Sequence, residues 1–275
     1  MPAIEYRKMD FRFEDDIPFQ FNPLNIAVSD AVNALTIGAP AFEPYFIKAF
    51  RDAIPLIRDE RLKAETKLFI QQERQHTQHH LTHLNMLLRK FPELEQVRDE
   101  VNASYARLYE TKPLKFHLAY TATIELAFGP IARFIVENRD ALFSGGDDRI
   151  SSFVLWHFVE EFEHRNCAID VYKAVVGSHL YRLSQVGATV AHQRGISALV
   201  RRAFRKMADE GKIARADTSP LAGLPPRNVR RLRAELIGTL LPWHRPDDLK
   251  EPAWASQWMA DHRAGKPMTL AYQAP

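Results

Sequence analysis

Residues 59–91 read DERLKAETKLFIQQERQHTQHHLTHLNMLLRKF. Strong helix formers fill this stretch, and Pro92 follows as a stop. The spacing predicts one long helix, and its neighbours repeat the pattern. APAFEPYFIKAFRDAIP (39–55) predicts a helix with its prolines near the start, and 93–110 predicts another. PLKFHLAYTATIELAFGPIARFIVEN (113–138) predicts the next, with a kink or local distortion at Pro130. A further helix is expected between an Asp147 or Asp148 cap after Gly145-Gly146 and a stop at Gly177. No alternating or hairpin pattern competes. The fold class expected is all-α, a ferritin-like helical bundle with a helical C-terminal extension. Residues 1–30 read as an irregular arm, 31–180 as the bundle and 181–275 as a basic extension packed on it.

One residue does not suit an apolar core. From Phe116 to Ala132, Glu125 is the only side chain charged at every ordinary pH. A carboxylate in such company is costly unless paired, protonated or bound to a metal. Three other segments carry matching chemistry. Glu73 and His76 are i and i+3 on one helix face, Glu161 and His164 repeat that spacing, and His157 lies four residues before Glu161 on the same stripe. Glu43 is another acid among apolar residues. Each element alone is weak: a Glu-x-x-His pair occurs on many solvated faces, and Glu125 could pair with Arg133 or stay protonated. The order Glu, Glu-x-x-His, Glu, Glu-x-x-His explains all four segments together. It is the ligand plan of dinuclear metal bundles, in which two cations offset four carboxylates. Oxygen and imidazole donors suit iron or manganese.

The candidate metal ligands are therefore Glu43, Glu73, His76, Glu125, His157, Glu161 and His164, with His80 a ligand or a supporting partner four residues after His76. His157 has its own alternatives, as an imidazole holding Glu161 or a core histidine beside Trp156. Glu160 and Glu163 are expected to face solvent or a neighbouring helix. Phe46, Phe69, Tyr120, Phe128, Phe158 and Phe162 are candidates for a substrate pocket, with ordinary core packing as the plainer role of each.

The single cysteine, Cys167, excludes a disulfide framework and a Cys-rich zinc site. The charged N-terminus lacks a signal-peptide pattern, and no run approaches the ~18 apolar residues of a membrane span. The expected location is the cytoplasm. Residues 182–235 hold 12 Lys/Arg against 4 Asp/Glu, a net of +8, which leaves the remainder at −5. Such a basic amphipathic segment packs on the bundle with its charges solvated, or lies on anionic lipid. The second reading puts a peripheral membrane contact at residues 194–235. No nucleic-acid recognition motif is present.

GAPAFEPYFIKAFRDAI, FIQQERQHTQHH and HFVEEFEHRNCAIDVY resemble the bacterial proteins described as predicted metal-dependent hydrolases, over about residues 15–250. The resemblance implies a first-helix acid at Glu43, a Glu-x-x-His pair at Glu73 and His76, a second-helix histidine at His80, a later acid at Glu125 and a final cluster of His157, Glu161 and His164. Phe42 stands where the family more usually has glycine. The ligand order is also similar to that of the di-iron arylamine N-oxygenases. Two functions follow as expectations. The first is an O2-dependent oxidase or oxygenase with two Fe ions (Mn or mixed Fe/Mn as the variant), acting on a small apolar or amphipathic substrate. With no flavin or nicotinamide fingerprint, its electrons come from an external donor or the substrate. The second is hydrolysis by a dinuclear metal-bound hydroxide. A non-catalytic metal-binding role is a third reading.

Overall fold

The computed structural model describes residues 4–273. Helix α1 spans Ile26–Ala53, α2 Glu60–Lys90, α3 Leu94–Thr111 and α4 Leu114–Glu137. After the short α5 (Arg139–Phe143) come α6 (Asp148–His164), α7 (Cys167–Val175), α8 (His179–Asp209), α9 (Pro226–Gly238) and α10 (Ala253–Arg263). Among the described residues there is no strand. The chain is all-α. Helices α1, α2, α4 and the α6–α7 pair form a bundle: α1 packs on α2 and α4, and α4 packs on α6 and α7. Helix α8 lies across α4, α1 and α3, while α9 and α10 pack on α4.

Local chemistry sets the ends of these helices. The Asp59 carboxylate accepts from the N–H groups of Arg61 and Leu62, closing the start of α2. Of the two caps considered for α6, Asp147 is the one used, accepting from the Arg149 N–H. Gly145 precedes it at φ 75°, a conformation that favours glycine.

Four features go beyond or correct the sequence expectations. Helix α1 begins at Ile26, well before 39, so Pro40 and Pro44 lie inside it. Each lacks an N–H and removes one helical bond, and the packing of α1 on α2 and α4 carries it through both. The helix expected from 148 to 176 is broken after His164. Arg165 donates to the freed Phe162 carbonyl at 2.6 Å, and Asn166 donates to Asp247 at 2.6 Å. Helix α4 continues through Pro130, and by length and composition it could cross a membrane (mean hydropathy 1.2), but 67% of that window is buried inside the bundle. Residues 4–25 form no helix or strand, and they run against the bundle. Arg7, Met9, Phe11 and Phe13 point inward while Lys8, Asp10, Arg12 and Glu14 point outward. This two-residue alternation is that of an extended chain with one face on a core. Phe11 packs on Phe153 and Trp156 of α6, and Phe13 on His83 of α2.

Candidate metal centre

Glu43 from α1, Glu73, His76 and His80 from α2, Glu125 from α4, and His157, Glu161 and His164 from α6 all point into the bundle, each no more than 1% exposed. Helical spacing puts Glu73 and His76 on one face of α2, and His157, Glu161 and His164 on one face of α6. Four overlapping groups bring ligand atoms within 4.8 Å of one another: Glu43, His80 and His157; His76, His157 and Glu161; Glu43, Glu73 and His76; and Glu73, Glu161 and His164. Glu125 stands outside these groups; its oxygen Oε2 lies 3.9 Å from Nδ1 of His164.

The polar atoms divide sharply into satisfied and orphaned ones. His76 faces Glu160 through Nε2 at 3.1 Å, and its Nδ1 is left 3.6 Å from both Glu73 and Glu161. His164 bonds Gln72 through Nε2 at 2.6 Å, and its Nδ1 sits 3.0 Å from Glu73 and 3.8 Å from Glu161 without hydrogen-bond geometry. Unpartnered atoms are Nδ1 of both histidines, one oxygen each of Glu43, Glu73 and Glu161, and both oxygens of Glu125. Buried polar groups are ordinarily bonded, and each exception needs a cause. These buried oxygen and imidazole atoms, with the opposite ring nitrogens of His76 and His164 anchored, are donors of the kind that a metal ion takes. The residues present fit the metal.

Electrostatics agree. Burial, reinforced by the neighbouring carboxylates, pushes Glu43, Glu125 and Glu161 well above the usual carboxylate range. Glu73 meets the same burial, but the His164 and His76 imidazoles bring it down to about 2. Burial opposes a charge on His76, yet Glu160 and Glu73 hold its pKa well above the ordinary value. Without metal the cluster therefore keeps protons that cations would displace.

His157 is placed differently from His76 and His164. Its Nε2 lies 2.9 Å from Glu161 and its Nδ1 2.8 Å from Nε2 of His80, so both ring nitrogens are engaged. Nδ1 of His80 meets the Thr36 hydroxyl at 3.0 Å, and Thr36 meets Nδ1 of His83 at 2.9 Å. Burial, with the neighbouring imidazoles of His76, depresses His80 and His157 far below the ordinary histidine value, and burial brings His83 down to about 3. Neutral rings then allow two proton orders, one with Glu161 protonated and donating to His157, the chain running on to His83, and one with Glu161 ionised and accepting at the far end. In the second order, the one expected once a cation takes the Glu161 proton, His83 donates to Thr36, Thr36 to His80, His80 to His157, and His157 to Glu161. In this arrangement His157 orients Glu161, and it ligates a metal only by giving up one of these bonds. Thr77 similarly fixes Glu43, donating to Oε2 at 2.8 Å.

Four supporting residues were not legible from the motif. Arg7 of the N-terminal segment is buried against α6, donating to Glu160 at 3.2 Å and to Glu163 at 2.7 and 3.0 Å. Those bonds keep its guanidinium charged despite the burial. Glu160 and Glu163 therefore face this segment and, of the two expected surroundings, the neighbouring helix α2 and not solvent. Gln72 bridges His164 to Glu163, to which it donates at 3.0 Å. Arg7, Glu160, Glu163 and Gln72 form a continuous scaffold behind both free histidine nitrogens.

A family model described as "Predicted metal-dependent hydrolase" matches residues 5–248. The chain belongs to that family. The matched span includes Arg7 as well as every candidate ligand. No curated protein and no solved structure was found to match it.

Proposed function

We propose that this chain is a dinuclear metal enzyme, and that its reaction is an O2-dependent oxidation by two Fe ions, with Mn or a mixed Fe/Mn pair as the variant. The observation that carries the reading is the set of seven unpartnered, buried oxygen and imidazole atoms contributed by four helices. All-oxygen and imidazole donors favour such metals over the thiolate sites of structural zinc. Glu73 and Glu161 lie between His76 and His164 and would be shared by the two ions, with Glu43 and Glu125 at the flanks. Gln72 and Glu160 hold the imidazoles so that Nδ1 faces inward. Bound iron supplies redox electrons for reaction with O2, and bound zinc or manganese supplies Lewis acidity for hydrolysis; no side chain here provides either. The aromatic and aliphatic shell around the cluster excludes water.

The family description favours a second reading, hydrolysis at the same centre. Metal dependence separates the two. Protein loaded with Fe(II) consumes O2 under the oxidative reading, and a Glu73→Ala variant does not. Activity on esters or phosphates with Zn or Mn under anaerobic conditions, without O2 uptake by the iron form, would move the assignment to the hydrolase. An external electron donor remains part of the oxidative proposal. Contact of residues 194–235 with a membrane surface is also a proposal. Val200, Phe204 and Met207 are buried on the bundle, while Arg201, Arg202, Arg205 and Lys206 stay exposed. Flotation with anionic vesicles tests it, and absence of retention removes it.

A further inference from the structure

A cavity of about 740 Å³ lies between α1, α4 and α8, beside the cluster and separate from it. No candidate metal ligand lines it. Helix α1 gives it a narrow face of small side chains, Ala27, Ala31, Ala34 and Gly38, repeating at helical spacing. Ile124, Phe128 and Ile131 of α4 and Ile196 of α8 face it half-buried, with space where a core would place another side chain. At one end stand Phe42 and Ile124, the residues immediately before Glu43 and Glu125. The Phe42 and Phe128 rings, 6.1 Å apart, form part of its wall there. Of the aromatics considered from sequence as pocket residues, Phe128 is the one that lines it.

The other end is basic. Hydrogen bonds from Gln20 to the Ala214 carbonyl and from Asn25 to that of Pro220 bring the start of α1 to the segment that follows α8. Arg201, Arg205 and Arg215 line the cavity on this side, against one acid, Asp30. Arg215 is paired with Asp209, whereas Arg201 and Arg205 make no ion pair among the described residues. At 1.5 Å per residue, Ala27 to Phe42 spans about 22 Å, the length over which α1 lines the cavity. The cavity is long and apolar, with free cations at the end away from the cluster.

We infer that this cavity binds a single-chain fatty carboxylate, its head on Arg201 and Arg205 and its alkyl tail running to Phe42 and Phe128. Charge selects the head, the apolar lining takes the chain, and the small residues of α1 leave the room. As the substrate chamber of the enzyme it rests on the metal reading above; as a binding site it stands without it. The distal methylenes would then lie beside Glu43 and Glu125, across the Phe42–Phe128 wall.

Calorimetric titration of the full-length protein with octanoate, dodecanoate and hexadecanoate tests this, with metal content measured on the same samples. The expected result is one site per chain, with affinity rising up to about fourfold per added CH2 until the cavity is full. Ala34→Phe, which fills the bore, should remove hexadecanoate binding. Arg201→Gln with Arg205→Gln, both exposed and independent of folding, should weaken it at least tenfold. Circular dichroism confirms that Ala34→Phe is folded, and the arginine pair serves if it is not. No saturable binding overturns the inference, as does binding that ignores both sets of changes. Metal bound without fatty acid binding sinks the chamber alone; fatty acid bound by a protein that takes up no metal sinks the enzyme reading alone.

Discussion

Arg7→Met is the most informative single change, because Arg7 is far from the motif and touches no candidate ligand. In the native protein its guanidinium is enclosed by Glu160 and Glu163, whose side chains are 0% and 1% exposed. Methionine matches much of the volume but supplies no charge, leaving two buried carboxylates beside each other. Breaking a buried pair by removing one partner costs about 3–5 kcal/mol. A domain of ordinary stability holds about 5–15 kcal/mol, so the variant should fold but with a large loss. The damage should also reach the metal centre. Glu160 holds Nε2 of His76, and Glu163 holds the Gln72 amide that bonds Nε2 of His164. Loss of such supporting partners typically lowers metal affinity 10–100-fold. Urea denaturation of the metal-free protein and competitive chelator titration of the loaded protein read the two effects separately. A double variant, Arg7→Met with Glu163→Gln, should recover part of the stability, giving a coupling energy outside the range of independent sites. Arg7→Met within about 1 kcal/mol of wild type, with unchanged metal affinity, would refute the scaffold argument.

The remaining predictions concern single groups. Glu125→Leu removes a buried carboxyl with no partner, so metal-free protein should gain about 1–3 kcal/mol in urea denaturation while metal uptake falls. A loss of metal-free stability would count against it. Thr36→Val cuts the link between His83 and His80 and should cost about 1–3 kcal/mol by the same assay, with histidine NMR reporting altered tautomers. Unchanged tautomers would show that the proton order is set elsewhere. Burial pushes Asp30 from 3.8 up to about 6. The folded state therefore keeps this proton over a range where the unfolded chain has lost it, and the resulting stability disappears as pH rises from about 4 to 6. Asp30→Asn should raise the melting temperature above pH 6 and have little effect below pH 4; a uniform shift across that range would contradict this origin.

Much of this architecture was legible because it is local. Pro92 and the formers before it mark α2, and Gly145-Gly146 with Asp147 or Asp148 marks the start of α6. The i, i+3 pairs lie where 3.6-residue geometry puts them. What escaped the sequence depends on distant partners. An isolated Pro40 and Pro44 reads as a helix start, and only packing by α2 and α4 carries α1 through them. The break after His164 has no glycine or proline to announce it, and is closed by Arg165 and by Asp247 from beyond α9. The inward face of residues 7–13 includes an arginine, so its alternation is not read as an apolar face until Glu160 and Glu163 are seen behind it. The cavity is similarly invisible in sequence, since alanines on α1 become a void only when α8 is laid over them.

Anomalous diffraction at the iron edge, on crystals of iron-loaded protein, tests the central claim most directly. The account predicts two peaks inside the bundle, one beside Nδ1 of His76 and one beside Nδ1 of His164, with Glu73 and Glu161 between them. Iron-loaded crystals with no peak there, or with metal bound only at the surface, would contradict it.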